Sequence, residues 1–216
     1  MNNTMLQQVM TAPGQITFRQ VPVPQPGPDQ VLVRIKKIGV CGSDIHVYHG
    51  THPYTSYPVT QGHEVSGQIV ALGEYVRDLK VGQKVTIEPQ VFCGRCHPCL
   101  HGKYNLCEKL KVMGFQTTGT ASEYFAVDAS KVTLLPEALS YSEGAMIEPL
   151  AVTVHAARRF RELKGAKVCG ISKLMYKDSY VRYDGPRGDI TYWLRPMEPE
   201  YNPEPDKDLG LLIVDE

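Results

Sequence analysis

The run Cys93-Gly94-Arg95-Cys96-His97-Pro98-Cys99-Leu100-His101-Gly102-Lys103-Tyr104-Asn105-Leu106-Cys107 places four thiols within fifteen residues. Gly94, Pro98 and Gly102 let the backbone fold back between them. Four thiolates that converge on a point make a tetrahedral Zn²⁺ site with no open position, which is a structural site. Two disulfides are one alternative reading, and a [4Fe–4S] cluster is the other ligand that four cysteines hold. Disulfides need an oxidising compartment. Met1-Asn2-Asn3-Thr4 offers neither the basic nor the apolar stretch of an export signal. We therefore expect a cytoplasmic protein with zinc in this lobe.

Around the lobe the chain reads as mainly β with some α. Val31-Leu32-Val33-Arg34-Ile35-Lys36 alternates apolar and polar, the mark of a half-buried strand. Val21-Pro22-Val23-Pro24-Gln25-Pro26-Gly27-Pro28 is too rich in proline for a central strand and reads as an edge or connection. Further strands are expected at Val65–Leu72, Lys84–Ile87, Ala121–Val127 and Lys131–Leu135, with glycine or proline in most gaps. Short, closely spaced strands of this kind suggest a barrel or sandwich.

The pattern changes at Ser140, which caps a helix with Glu143 as its capping-box partner. Pro149 is expected to interrupt that helix, to bias Glu148 away from the αR region, and to start a second helix running toward Leu163 and ending at Gly165. Ala166–Cys169 then reads as the start of a buried strand. Residues 171–216 differ in composition: they hold five Pro, five Tyr, the single Trp and a net charge of −4. Leu209–Glu216 ends in Asp-Glu, but the Gly-x-x-x-x-Gly-Lys-Ser/Thr loop that would make it an ATPase strand does not occur. The 216 residues balance to zero net charge. That neutrality argues against nucleic acid as partner, and the lack of an apolar run of roughly 18 residues argues against a membrane helix.

A second metal site is written more diffusely. Cys41 lies in Gly39-Val40-Cys41-Gly42-Ser43-Asp44-Ile45-His46, and His63 and Glu64 lie in Gln61-Gly62-His63-Glu64. A lone Cys or His is usually a packing residue. Together with carboxylates in glycine-rich turns they form an S/N/O ligand set. Three protein ligands and a water make an open zinc site, which polarises a bound oxygen. Asp44 can orient His63, or it can serve as a turn residue bonding its own backbone.

Taken together these motifs identify a family. Residues 1–168 resemble the zinc-containing medium-chain alcohol dehydrogenases, in the polyol and sugar-acid branch typified by sorbitol dehydrogenase. The resemblance rests on Gly-Val-Cys-Gly-Ser-Asp-Ile-His (39–46), Gly-His-Glu (62–64), the lobe (93–107) and Gly-Ala-Met-Ile-Glu-Pro-Leu-Ala-Val (144–152). It implies a GroES-like β-barrel catalytic domain joined to a Rossmann domain that binds NAD(P). It implies one structural zinc on Cys93, Cys96, Cys99 and Cys107, and one catalytic zinc on Cys41 and His63. Glu64 or Glu148 completes the catalytic site, directly or, for Glu148, through water. Ser43 and His46 match a relay that carries the substrate hydroxyl proton to solvent. Tyr48 matches a polyol-contacting aromatic, and packing is its alternative role. The implied partner is a small-molecule alcohol or polyol, and a homo-oligomer is compatible with the resemblance.

The chain departs from the family after residue 168. Where the family continues with Gly-x-Gly-x-x-Gly, this chain reads Cys169-Gly170-Ile171-Ser172-Lys173-Leu174-Met175. We therefore expect the Rossmann domain to be absent or truncated. The expected organisation is a catalytic domain over 1–150, a helix and first strand over 151–170, and an unassigned Tyr/Pro-rich acidic tail over 171–216. A truncation, frameshift or fusion near residue 170 would produce this change. The chain then reads as an impaired dehydrogenase, with a non-catalytic zinc-stabilised module or remnant as the alternative. In that second reading Tyr176, Tyr180, Tyr183, Tyr192 and Trp193 form a docking segment, or else they cover barrel surface left bare by the missing return segment.

Overall fold

The computed structural model describes the backbone of residues 3–158 and of three later strands, with side-chain surroundings up to residue 155. The chain divides into two compact units, Met1–Glu148 and Pro149–Glu216. The first unit is mainly β. It opens with a hairpin of β1 (Thr4–Ala12) and β2 (Gln15–Pro22). β3 (Gln30–Ile38) then pairs antiparallel on one side with β4 (Val65–Leu72) and on the other with β8 (Tyr124–Asp128). β5 (Lys84–Ile87) and β9 (Val132–Leu134) complete a five-stranded sheet in the order β8-β3-β4-β5-β9. The hairpin joins this body through single bridges, Gln7 with Ser122 and Met10 with Val59.

Alternation places Val31 and Val33 on one face of β3, and both are fully buried. Leu32 is buried as well, so the half-buried expectation fails at the start of this strand. Arg34, two residues further along, is exposed, so only the start of that face is covered. Val65, Ile69, Val85, Ile87, Met113 and Val127 complete the main core. The β3–β4 register slips at Leu32/Val33 and again at Ile35/Lys37. Such bulges bend a strand and strengthen its twist.

The expected strands at Val65–Leu72 and Lys84–Ile87 form with those bounds. The strand expected from Ala121 starts at Tyr124 instead. Residues 119–121 are occupied elsewhere: Gly119 N–H donates to the Thr60 carbonyl at 2.8 Å, Thr120 N–H to Gly62 at 2.9 Å and Ala121 N–H to Gln61 at 2.9 Å. The Pro-rich stretch forms the end of β2 and then a connection.

Ser140 caps α3 (Tyr141–Ala145), and the capping box with Glu143 is complete. The next helix, α4 (Ile147–Arg158), corrects the reading of Pro149. The break falls at Met146, and Glu148 is helical. Pro149 sits in the first turn of α4, where its missing N–H removes no intrahelical bond. Leu163, Gly165 and most of residues 171–216, including the aromatic cluster apart from Tyr183, lie outside the described residues. In the second unit β10 (Lys167–Val168) pairs antiparallel with β11 (Arg182–Gly185), which pairs with β12 (Gly188–Thr191). Among the described residues no helix is long and apolar enough to cross a membrane.

A second, smaller core consists of Met10, Val47, Val59 and Phe115. It seats α1 (Gly42–Tyr48) against the hairpin. Met10→Ala should lower the unfolding free energy by about 2–5 kcal/mol, the usual cost of emptying a fully buried methionine site. Urea denaturation of the two proteins measures it.

Candidate metal centres

The lobe grows from a two-stranded stem, β6 (Gln90–Val91) paired with β7 (Lys111–Val112). Between them lie the four-residue α2 (His97–Leu100) and a 3₁₀ turn, Tyr104–Leu106. Pro98 stands in the first turn of α2, and Gly94 and Gly102 adopt positive φ. The sulfurs of Cys93, Cys96, Cys99 and Cys107 all lie within 4.8 Å of one another. All four are free thiols, and Cys96 Sγ stands 3.4 Å from Cys99 Sγ, far beyond an S–S bond.

The lobe also supplies donors to its sulfurs. Cys93 N–H and Lys109 N–H each donate to Cys107 Sγ at 3.3 Å. The backbone N–H groups of Arg95 and Cys96 bring the Cys93 thiol down to about 6. Burial, and then the neighbouring Cys96 thiol, push Cys99 up to about 12. One thiolate therefore forms readily and another resists forming, which is the state a divalent cation relieves. The donor set fits Zn²⁺. Phe92 ties the lobe to the body: it stacks on Tyr104 with centroids 4.3 Å apart, and Lys131 Nζ lies 3.7 Å above its ring.

The second cluster is Cys41, His63 and Glu64, whose donor atoms also lie within 4.8 Å of one another. Cys41 is the N-cap of α1. Its sulfur accepts from Ser43 N–H at 3.5 Å, and Asp44 Oδ2 accepts from Cys41 N–H at 3.0 Å, closing a capping box. His63 and Glu64 are buried and follow Gly62, which adopts φ +91°. Gly62 is required there, because the left-handed region is costly for other residues and a Cβ would lie 3.0 Å from Thr120 Oγ1. Gly39 makes room in a different way. A Cβ on it would lie 2.4 Å from Glu64 Oε2, while its N–H donates to the Glu64 carbonyl at 2.7 Å.

Burial governs the electrostatics of this cluster. It pushes the Cys41 thiol up to about 11, and the Glu64 and Asp44 carboxylates add to the rise. His63 is lowered by burial, partly opposed by Asp44, so it is neutral and able to ligate at neutral pH. Asp44 is raised by burial, opposed by His63 and by the N–H groups of Cys41 and Gly62. Asp44 Oδ2 stands 3.9 Å from His63 Nδ1, a buried nitrogen with no hydrogen-bond partner. Asp44 thus bonds its own turn, and its carboxylate stands near His63 without a hydrogen bond to it. A half-buried thiol beside a buried imidazole and carboxyl, with converging donors, fits a divalent cation.

Glu148 is not in this group of three. It lies half-buried in the first turn of α4, and burial raises its carboxyl. Ser43 and His46 are three residues apart on α1, hence on one face. His46 Nδ1 lies 3.2 Å from Thr51 Oγ1. Tyr48 is more than one-third exposed and meets His49 edge-on at 5.5 Å. Sequence reasoning missed His52 and Phe115. Phe115 stacks on His52 with centroids 4.6 Å apart and touches His63 at 4.9 Å. It also lines a cleft with Tyr54, Pro58, Val59 and Thr60. No spacing rule links residues 52, 63 and 115.

The fold and both clusters fit a GroES-like domain of the zinc alcohol dehydrogenase type. Residues 27–137 match the alcohol dehydrogenase GroES-like domain. The chain belongs to that family, in the polyol branch of the zinc medium-chain alcohol dehydrogenases. It is 39% identical over 166 residues to L-galactonate-5-dehydrogenase of Escherichia coli, covering 77% of this chain and 48% of that protein. It is 37% identical over 164 residues to sorbitol dehydrogenase of Bacillus subtilis, covering 74% and 46%. Among solved structures it resembles an E. coli alcohol dehydrogenase in complex with NADH, with TM-score 0.69, 36% identity, and 74% and 47% of the two chains covered. The chain thus spans about half the length of the relatives it matches.

Two outcomes follow for metal binding. Complete chelation should raise amide hydrogen exchange first within residues 90–110, because a metal-organised lobe loses its folding energy with the ion. Unchanged exchange there in metal-free protein would sink the lobe assignment. At the Cys41 cluster, a thiol held near 11 must lose its proton to ligate, while neutral His63 loses none. Apparent Zn²⁺ affinity there should rise about tenfold per pH unit across roughly pH 7 to 9. Chelator competition at several pH values tests this, and a flat profile contradicts it.

Proposed function

We propose that residues 1–150 form the zinc-binding catalytic domain of a dehydrogenase that oxidises a secondary alcohol, such as a polyol or sugar acid, by hydride transfer to NAD(P). Residues 151–170 are assigned to the helix and strand leading to the cofactor domain, and 171–216 remain a tail without assigned role. The carrying observation is the convergence of Cys41, His63 and Glu64 beside a separate four-thiol lobe. Three donors leave a tetrahedral ion one position for substrate, whereas four thiols leave none. A Zn²⁺ held by Cys41, His63 and Glu64 would supply Lewis acidity toward the alcohol oxygen.

The chain's own residues do the rest. Ser43 accepts the hydroxyl proton, and His46, on the same face of α1, passes it outward. Asp44 keeps the His63 ring oriented. Glu148, with its raised carboxyl, is the alternative carboxylate for the site. The NADH-bound relative supports a nicotinamide cofactor. The compartment that suits zinc-ligating thiols is a reducing one, and we assign the protein to the cytoplasm on that ground.

The full chain should bind two zinc ions, with Cys99→Ser and His63→Ala each losing a different one. Plasma emission analysis of the purified proteins decides this, and fewer than one zinc per chain would contradict the reading. NAD reduction with sorbitol or L-threonine should be weak or absent in this chain. A chimera joining residues 1–168 to the cofactor half of the B. subtilis enzyme should turn over. In it, Ser43→Ala should lower kcat by about 100-fold or more.

A further inference from the structure

Asp44 is held by more than its own turn. Gln61 Nε2 donates to the Asp44 carbonyl at 3.0 Å and to Asp44 Oδ1 at 3.3 Å, and both residues are buried. Gln61 is in turn clamped by Gln8 of β1. Gln61 N–H donates to Gln8 Oε1 at 3.1 Å, and Gln8 Nε2 donates to Gln61 Oε1 at 3.3 Å. The polarity of this chain is determined. A backbone N–H only donates, so Oε1 of Gln8 must face it. Nε2 of Gln8 must then face Oε1 of Gln61, and Nε2 of Gln61 must face Asp44.

We propose that Gln61 is a positioning residue of the Cys41–His63–Glu64 centre. Its amide engages Oδ1 of Asp44, so that Oδ2 is left to Cys41 N–H and to the Nδ1 side of His63. At 3.9 Å, beyond hydrogen-bond reach, the Oδ2 charge favours the His63 tautomer with the proton on Nδ1, which leaves Nε2 as the nitrogen free to ligate. Gln8 acts one hydrogen bond further out and carries the β1 strand's position to the metal loop. This inference rests on the reading of the centre given under Proposed function.

The test uses the full chain loaded with ¹¹³Cd²⁺ and labelled with ¹⁵N. Wild-type protein should give one cadmium resonance in the tetrathiolate range and one at the lower shift of a mixed S/N/O site. Long-range ¹H–¹⁵N correlation should show His63 as a single Nδ1–H tautomer. Gln61→Met keeps side-chain length and removes the donor. It should broaden or move the mixed-site resonance and populate a second tautomer of His63. It should weaken cadmium binding there roughly tenfold, with the tetrathiolate resonance unchanged. Gln8→Met should act in the same direction, and the double variant should be no worse than Gln61→Met alone. An unchanged mixed-site resonance and unchanged tautomer in Gln61→Met would overturn the proposal while leaving the centre intact. If Gln61→Met also loses the tetrathiolate resonance, Gln8→Met decides by the same two readouts. Absence of the mixed-site resonance from wild-type protein would defeat the centre itself, and the proposal with it.

Discussion

The capping box at the start of α1 is the constraint on which the candidate site depends. A helix N-terminus leaves N–H groups without intrahelical partners. Here Cys41 Sγ takes one of them and Asp44 Oδ2 takes the Cys41 N–H. The same two side chains that close the helix are the thiol of the metal cluster and the carboxylate facing His63. Helix start and ligand geometry therefore cannot vary independently. A seven-residue helix has little stability of its own, so it is held from outside. Val47 is buried among Met10, Val59 and Phe115, and the Tyr48 carbonyl accepts from Gly14 N–H at 2.7 Å.

The other two members of the cluster, His63 and Glu64, reach it by a different route. Residues 60–64 form no helix or strand, yet their backbone is pinned on two sides. Thr60, Gln61 and Gly62 carbonyls take N–H groups from residues 119–121, and the Glu64 carbonyl takes Gly39 N–H. Glycine at 39 and 62 permits the close approach that brings the carboxylate and imidazole to Cys41. The cluster thus sits where the chain segments 39–44 and 60–64 are stitched together just before β4 begins.

Much of this was legible in the sequence, for physical reasons. Four cysteines within one lobe need no tertiary information, since local turns bring them together. The strands at 65–72 and 84–87 were legible because turn residues bound them tightly. Ser140 and Glu143 revealed α3 through a local cap. Pro149 misled because proline is restrictive in a helix interior but harmless in a first turn, and only the register of α4 tells the two apart. Leu32 misled because alternation is a local pattern and does not say what covers the second face of a strand. Gln61 and Gln8, fifty-three residues apart, gave no sign of their pairing, because an amide's partners are set by tertiary placement. The same holds for Phe115 beside His52 and His63.

The two clusters use one element of chemistry, the thiolate, to opposite ends. In the lobe, backbone N–H groups stabilise sulfur charge before any ion arrives, as the low Cys93 value shows. At Cys41 burial outweighs the one N–H, from Ser43, that favours the thiolate, and the Glu64 and Asp44 carboxylates add to the rise; within the lobe, burial does the same to Cys99. Negative charge accumulated in a buried place is costly unless paired. Ligand count then separates the roles. On the function proposed above, four sulfurs would saturate an ion and leave it only a structural task, while Cys41, His63 and Glu64 would leave one coordination position open. The asymmetry is written in the backbone, through tight glycine-bounded turns around the lobe and a single helix cap at Cys41.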